Sequence, residues 1–302
     1  MPDVTIIDVS PRDGLQNDPN PVSTEEKLQL IRMLVEAGIS KVEVTSFVHP
    51  LKVPQMADAS QLMDTMDSIQ GVEAIALIPN LKGYERARVH QLTELNWVSA
   101  ATETFNAKNI GMSINENMEQ FLDVLQMAKK DGIQTCFSVA VSFGCPYEGE
   151  VAEEDVLNIV KRVKEAGVDR IGIADTIGIA TPDHVERLMK KVLAIANGTP
   201  VTIHLHDTRG LGLTNAYAAY QAGVRIFETS ASGIGGCPFA PGAAGNLATE
   251  DLVYLFERMN ISTGIDFEKL LDAADYAALL STKTPLGRIR HVERKQEKGN
   301  EG

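Results

Sequence analysis

Residues 170–206 read RIGIADTIGIATPDHVERLMKKVLAIANGTPVTIHLH, a succession of two short strand-like runs with a helix-like run between them. The runs RIGIAD and VTIHLH are rich in β-branched side chains, as is typical of buried strands. Between them, PDHVERLMKKVLAIANG has apolar residues at helical spacing and closes with Gly198, a common C-cap. Because a strand, a crossover helix and a second strand form one parallel βαβ unit, this stretch predicts a parallel sheet covered by helices.

The same alternation of strands and helices runs along the chain without a Pro/Ser-rich linker. Stretches with helical spacing, such as EEKLQLIRMLVEAG, NMEQFLDVLQMAKKDG and EEDVLNIVKRVKEAG, separate the strands and close with glycine. Eight such units predict an α/β fold of the (β/α)8 TIM-barrel class. The candidate strands are VTIIDV near residue 4, KVEVTS near 41, EAIALI near 73, NWVSAA near 96, TCFSVAV near 135, RIGIAD near 170, VTIHLH near 201 and RIFETS near 225.

A doubly wound open sheet is the alternative fold, but its glycine fingerprint after the first strand is missing from SPRDGLQN. Beyond the eighth unit, DFEKLLDAADYAALLSTKTPLG predicts an additional C-terminal helix and a loop. We therefore expect a single catalytic domain over residues 1–287 and a charged, flexible tail over residues 288–302.

The composition limits the partners of the chain. Its 302 residues carry 28 Lys and Arg against 41 Asp and Glu, and the net charge of −13 disfavours nucleic acid and anionic membranes. An anionic acyl-CoA is still compatible, because a local cluster of cations can hold it against the average field. Three cysteines are too few for a disulfide scaffold, and we find neither a secretory signal nor a run of membrane-spanning length. We expect a cytoplasmic protein without membrane contact.

Polar side chains concentrate where the predicted strands end. In a (β/α)8 barrel the chemistry takes place at the carboxyl ends of the strands, so these residues are the first functional candidates. They belong to the first, second, sixth, seventh and eighth strands and the loops that follow: Arg12, Asp13, Glu43, Ser46, Asp175, His204, His206, Asp207, Cys237 and Asn246.

His204 and His206 lie two residues apart on a predicted strand, so both imidazoles leave the same face and can reach one metal ion. Such a pair is by itself more often structural. Asp13 and Asn246 would add oxygen ligands from neighbouring strand ends, and a mixed nitrogen and oxygen shell suits Mg²⁺ or Mn²⁺. The pattern therefore predicts a divalent-cation site, although an aspartate before glycine is also a common turn residue.

The other candidates each allow two interpretations. Arg12 is either a surface ion-pair partner or the group that holds a developing enolate oxygen. Cys237, in the glycine-rich loop SGIGGCPFAPGAAGN, is either a small packed side chain or a proton donor or acceptor. Glu43 and Asp175 are either inward charges neutralised by Arg12 or a buried lysine, or groups that orient metal and substrate.

Five longer motifs stand out: PRDGLQN at 11–17, EVTSFVHP at 43–50, ADTIG at 174–178, HLHDTRG at 204–210 and GIGGCPFAPGAAGNLATEDLVY at 233–254. They resemble the motifs of the hydroxymethylglutaryl-CoA (HMG-CoA) lyase family, within the metal-dependent DRE-TIM metallolyase superfamily. The resemblance runs from the first strand to about residue 283. It implies cleavage of HMG-CoA to acetyl-CoA and acetoacetate with Mg²⁺ or Mn²⁺, as in leucine degradation and ketone body metabolism, by a homo-oligomer.

The resemblance also implies roles for individual residues. Arg12 would stabilise the enolate of the departing acetyl-CoA, and Lys283 would lie near the CoA nucleotide. The implied metal ligands are Asp13, His204, His206 and Asn246. The implied catalytic residues are Arg12, Asp13, Glu43, Asp175, His204 and the loop acid/base group Cys237. The implied substrate-binding residues are Arg12, Gln16, Ser46, Ser138 and Gly172.

Three positions depart from the family pattern. Gly172 stands where the family has a serine, Ser138 where it has a bulky aromatic residue, and Leu51 where it usually has a lysine. Since all three would border the acyl group, we hypothesise that the substrate is a bulkier or otherwise different 3-hydroxy-3-carboxymethyl acyl-CoA.

Two other functions compete with this one. A metal-dependent Claisen synthase or aldolase acting on a 2-oxo acid would share the aspartate and histidine ligands but would not need Cys237. A non-catalytic barrel that serves as a scaffold would show decay at a site position, and the metal positions show none.

Overall fold

The computed structural model describes residues 2–66, 68–236, 245–282 and 284–293. Eight parallel strands form a closed barrel in chain order, and the last strand pairs with the first. The predicted TIM barrel is therefore confirmed, and each predicted strand is present. The strands are β1 Thr5–Asp8, β2 Lys41–Ser46, β3 Glu73–Ile78, β4 Glu94–Ala100, β5 Gln134–Ala140, β6 Arg170–Asp175, β7 Val201–Leu205 and β8 Ile226–Thr229.

The helices between the strands cover the outside of the barrel. Their ends follow local sequence signals: Ser23 and Ser113 each form a capping box at a helix start, and Gly132 and Gly167 end helices in the left-handed conformation. The helices are α1 Thr24–Glu36, α2 Ala59–Met66, α3 Leu81–Ala87, α4 Glu103–Ile110, α5 Ile114–Asp131, α6 Glu153–Ala166, α7 Pro182–Ala196, α8 Gly212–Ala222, α9 Thr249–Arg258 and α10 Phe267–Leu280.

The hydrophobic core lies mainly between the strands and the helices. Trp97, Phe121 and Phe137 are fully buried there and pack as a cluster of rings. Apolar side chains fill a smaller layer inside the barrel, where Ile7, Val9 and Ile75 form a separate cluster. Much of the remaining interior is polar, which leaves the inside of the barrel available for chemistry.

A cluster of buried, paired charged side chains lies inside the barrel beside these apolar side chains. The guanidinium of Arg170 pairs with Glu94, and its Nη1 donates to Glu228 Oε1 over 3.0 Å and to Thr202 Oγ1 over 2.6 Å. All of these side chains are buried, and buried charges are tolerated when they are paired and hydrogen-bonded. The cluster fixes Glu228 on β8, close to the histidines of β7.

The predicted C-terminal addition is confirmed by α10, which packs against α1. Residues 288–293 form a further helical segment, in which the backbone nitrogen of Arg288 donates to Asp251 and its side chain pairs with Asp207 over 3.2 Å. Within the described parts of the chain, every helix is too short or too polar to cross a bilayer.

Candidate active site

The turn after β1 presents Arg12 and Asp13 to the mouth of the barrel. Residues Ser10–Gly14 form a single π-helical turn, in which the nitrogens of Arg12 and Gly14 both donate to the carbonyl of Val9 over 3.2 and 3.1 Å. Isolated π turns are rare and frequently occur at functional sites. The turn puts two adjacent side chains, one cationic and one anionic, at the same strand end.

His204 and His206 project from the end of β7, as their spacing predicts. Their ring centroids are 5.1 Å apart, and one ligand atom from each histidine lies within 4.8 Å of a carboxylate oxygen of Asp13. Asp13 and the two histidines thus form one cluster, although they come from strands at positions one and seven of the barrel.

Asn246 reaches this cluster because the chain after β8 returns alongside the end of β7. Residues His206 and Asn246 pair as an antiparallel bridge, and the nitrogen of Leu247 donates to the carbonyl of Leu205 over 3.0 Å. Asn246 Nδ2 then donates to Asp13 Oδ2 over 2.9 Å. Close packing here requires Gly235, which has a φ of 119° and whose place for a Cβ lies 2.6 Å from Asn246 Nδ2.

The four side chains fit a divalent cation. Asn246 Oδ1 is buried and has no hydrogen-bond partner among the residues that the structure describes, which leaves it available as a metal ligand. Burial alone would raise the pKa of Asp13, but Arg12 and the two histidines outweigh this effect and hold the pKa below its ordinary range. An ionised carboxylate, two imidazoles and an amide oxygen together form a mixed oxygen and nitrogen shell that can hold a divalent cation.

Arg12 is held between two carboxylates. Its Nε donates to Glu43 Oε2 over 2.5 Å, and its Nη1 donates to Asp13 Oδ1 over 2.5 Å. This contact is expected under both interpretations of Glu43, as an inward charge neutralised by Arg12 and as a group that orients the site. Because two partners fix the planar guanidinium, Arg12 is oriented before any ligand binds.

The cavity at the mouth of the barrel measures about 210 Å³ and contains the cluster at one end. Of the predicted substrate-binding residues, Arg12, Gln16, Ser138 and Gly172 line it. Its other wall is largely apolar and includes Val48, Leu77, Pro79, Val98, Phe105 and Ile110. The cavity is therefore lined both by the charged cluster and by a group of apolar side chains.

Five of the predicted residues that the structure describes are not among those that line this cavity: Glu43, Ser46, Asp175, Asp207 and Asn246. Ser46 is fully buried at the end of β2. Asp175 accepts hydrogen bonds from the backbone nitrogens of Ile179 and Ala180, both over 3.0 Å, and so stabilises the turn after β6. Cys237 and Lys283 lie outside the described residues.

Glu228 is a functional candidate that the sequence did not single out. Its Oε2 lies 3.2 Å from His204 Nδ1, and its Oε1 accepts from Arg170. Burial alone would raise the pKa of Glu228, but His204 and Arg170 outweigh this effect and lower it. Since an ionised carboxylate can only accept, His204 Nδ1 donates to Glu228, and Nε2 is the ring nitrogen that a metal would use. The sequence offered one signal, a glutamate inside the β-branched run RIFETS.

Replacing Glu228 by Gln is expected to weaken Mn²⁺ binding about tenfold to a hundredfold, because the amide can donate to Nδ1 and favour the wrong tautomer of His204. Titration of the metal-free protein with Mn²⁺ measures this. The matched control is Glu94→Gln, which removes a carboxylate from Arg170 but none from His204. Equal losses of affinity in the two variants would contradict the role of Glu228.

The sequence also matches the HMGL-like family model over residues 3–276, which is most of the chain. This chain belongs to the HMGL-like family. A mitochondrial hydroxymethylglutaryl-CoA lyase of Macaca fascicularis is 42% identical over 273 residues, which cover 90% of this chain and 84% of the relative. A hydroxymethylglutaryl-CoA lyase of Bacillus subtilis is also 42% identical, with 90% of this chain and 91% of the relative covered.

A solved structure agrees with this assignment to the HMGL-like family. An HMG-CoA lyase from Acinetobacter baumannii, in complex with coenzyme A and 3-methylmalate, superposes with a TM-score of 0.90. It is 38% identical, and the match covers 95% of this chain and 93% of that one. The resemblance to HMG-CoA lyases that the sequence motifs indicate is thereby confirmed over nearly the whole of this chain.

Proposed function

We propose that this protein is a divalent-metal-dependent carbon–carbon lyase that cleaves HMG-CoA or a close 3-hydroxy-3-carboxymethyl acyl-CoA homologue. The observation that carries the proposal is the meeting of Asp13, His204, His206 and Asn246 at the mouth of an HMGL-like barrel. The products from HMG-CoA would be acetyl-CoA and acetoacetate. Relatives in the family carry the name of this activity, and one of them binds coenzyme A.

The side chains of the site suit each part of this cleavage. A bound Mg²⁺ or Mn²⁺ would polarise the tertiary alcohol of the substrate and lower its pKa. As the alcohol loses its proton and becomes a ketone, the electrons of the broken carbon–carbon bond move onto the thioester oxygen as an enolate. Arg12 is fixed by Glu43 and Asp13, so its charge is in place to stabilise this oxygen without rearrangement. Cys237, the proposed acid/base group, donates the proton that converts the enolate to acetyl-CoA and regains the proton that the alcohol loses, so that the cycle closes.

The dimensions of the cavity bear on the acyl group of the substrate. The inward residues of β5 and β6 near the cluster are small: Ser138, Ala140, Gly172 and Ala174 all line the cavity. The apolar side chains of Val98, Phe105 and Ile110 also line the cavity. These features support the hypothesis of a substituent at C3 that is larger than methyl. We further propose a cytoplasmic homo-oligomer with residues 1–287 as its catalytic domain.

Product analysis tests the proposed function. Purified protein is incubated with HMG-CoA and with homologues of longer C3 substituent, each with Mg²⁺ or Mn²⁺, and the thioester and keto-acid products are quantified. We expect cleavage that stops when a chelator is added and resumes when the metal is restored. Failure to cleave any of these thioesters would refute the lyase. Fastest turnover of HMG-CoA itself would refute only the hypothesis of a bulkier acyl group.

A Claisen synthase or aldolase acting on a 2-oxo acid is the competing function, because it would use the same Asp13 and histidine ligands. Variant Cys237→Ala separates the two, since the lyase needs the loop cysteine for proton transfer. We expect this variant to lose most of its cleavage activity. Full activity of Cys237→Ala together with loss of activity in Asp13 variants would favour the competing function.

A further inference from the structure

A chain of buried hydrogen bonds leads from the wall of the cavity to Arg12. Ser138 Oγ donates to Asn96 Oδ1 over 2.8 Å, and Asn96 Nδ2 donates to Glu43 Oε1 over 2.9 Å. The other oxygen of Glu43 accepts from Arg12 Nε. Asn96 and Glu43 are 2% and 1% exposed, so the hydrogen bond between them is shielded from bulk water.

The direction of each bond makes the chain specific. Glu43 Oε1 accepts from the nitrogen of the Asn96 amide, so the amide turns its oxygen toward Ser138. The hydroxyl of Ser138 supplies the donor that this oxygen needs. Ser138 therefore fixes the orientation of Asn96, and Asn96 fixes the oxygen of Glu43 that Arg12 does not contact.

Gly172 leaves the space that the Ser138 hydroxyl occupies. Ser138 and Gly172 face each other across β5 and β6, and a Cβ at residue 172 would lie 2.3 Å from Ser138 Oγ. Any side chain at this position would force the hydroxyl out of its place. The same Cβ would lie 3.1 Å from Ser138 Cβ and 3.2 Å from Ser138 Cα, tight contacts that a shift of a few tenths of an ångström between the two strands would relieve.

We propose that Asn96 and Ser138 are positioning residues that hold Glu43 against Arg12, and that Gly172 is required because it makes room for the Ser138 hydroxyl. The inference rests on the proposed lyase activity, in which Arg12 receives charge that develops only in the transition state. The hydrogen bonds that link Ser138, Asn96 and Glu43 form a relay to Arg12. Loss of this relay loosens Arg12 and so lowers kcat. It leaves KM nearly unchanged, because the ground state of the substrate does not need this charge.

Kinetics of four variants test the relay: Asn96→Leu, Ser138→Ala, Gly172→Ala and the double variant of residues 138 and 172. Asn96→Leu is expected to lower kcat about tenfold with KM within about twofold, since it removes both hydrogen bonds while keeping the number and branching of the side chain's heavy atoms. The matched control is Asn117→Leu, which removes a buried asparagine bonded to Trp97 outside the barrel. The control should lower thermal stability but leave the kcat of the folded protein unchanged.

The pair Ser138 and Gly172 gives a sharper test, because steric coupling predicts non-additive effects. Ser138→Ala should lower kcat about threefold and Gly172→Ala about tenfold, whereas the double variant should lose only about threefold. The alanine at residue 138 removes the oxygen with which the new methyl group collides. A loss of about thirtyfold in the double variant, the product of the single effects, would overturn the proposal. So would a rise in KM at unchanged kcat, which would assign both residues to substrate binding.

A measurement without substrate separates failure of the relay from failure of the proposed function. The ¹⁵N NMR signal of Arg12 Nε, assigned by its loss in Arg12→Lys, reports how firmly Glu43 holds the guanidinium. We expect faster hydrogen exchange at this nitrogen in Asn96→Leu and in Gly172→Ala, and the wild-type rate in Asn117→Leu. Unchanged exchange in Asn96→Leu would overturn the relay whether or not the protein cleaves HMG-CoA.

Discussion

Replacing Asp13 by Asn should lower kcat at least about a thousandfold, because metal stabilisation of the transition state amounts to several kcal/mol. The substitution keeps the size of the side chain but removes its charge. It weakens two interactions together, since Asp13 belongs to the metal cluster and also accepts from Arg12 Nη1. Asn246 would also face a neutral amide instead of the carboxylate to which it now donates.

Mn²⁺ binding checks this prediction independently of turnover. The affinity of Asp13→Asn, measured by calorimetry or by the electron paramagnetic resonance of free Mn²⁺, should fall at least about tenfold. Asp18→Asn is the matched control, because Asp18 follows the same strand but bonds to Ser281 and Thr282 instead of the cluster. Wild-type Mn²⁺ affinity in Asp13→Asn would show that the cation binds elsewhere.

The strands and helices of this fold could be predicted because their signals are local. The alternation in RIGIAD and the helical spacing after it depend only on neighbouring residues, and β6 and α7 follow them closely. The end of α7 differs in detail. Asn197, in the left-handed conformation, caps this helix in place of the expected Gly198. Asparagine is the second commonest residue in this role, so sequence alone could not choose between the neighbours.

The cluster of Asp13, His204, His206 and Asn246 could be anticipated, because the fold brings strand ends together and the motifs name the residues. The roles of Asn96 and Glu228 could not be anticipated from the sequence. A single polar residue in a β-branched run faces the barrel or the helices according to register, and register depends on pairing with other strands. Asn96 meets Glu43 across 53 residues of sequence, and Glu228 meets Arg170 across 58. Only the closed barrel brings these partners together.

Replacing Arg12 by Lys should lower kcat about a hundredfold while KM changes little, because the lost interaction is made mainly in the transition state. Lysine keeps the positive charge, but its ammonium group cannot reproduce the planar fork that contacts Glu43 and Asp13 together. The buried carboxylates keep a cation nearby, so the variant should fold. Steady-state kinetics and thermal unfolding measure the two effects separately.

Two comparisons make the Arg12 prediction decisive. Arg12→Met removes the cation from two buried carboxylates, so it should also destabilise the fold, by about 3–5 kcal/mol. Arg225→Lys is the matched control, since Arg225 contacts the carbonyls of Tyr220 and Val224 at the opposite end of β8. The control should keep wild-type kcat. Should Arg12→Lys instead raise KM at unchanged kcat, Arg12 would bind the substrate in its ground state, and stabilisation of the enolate would have to come from another group.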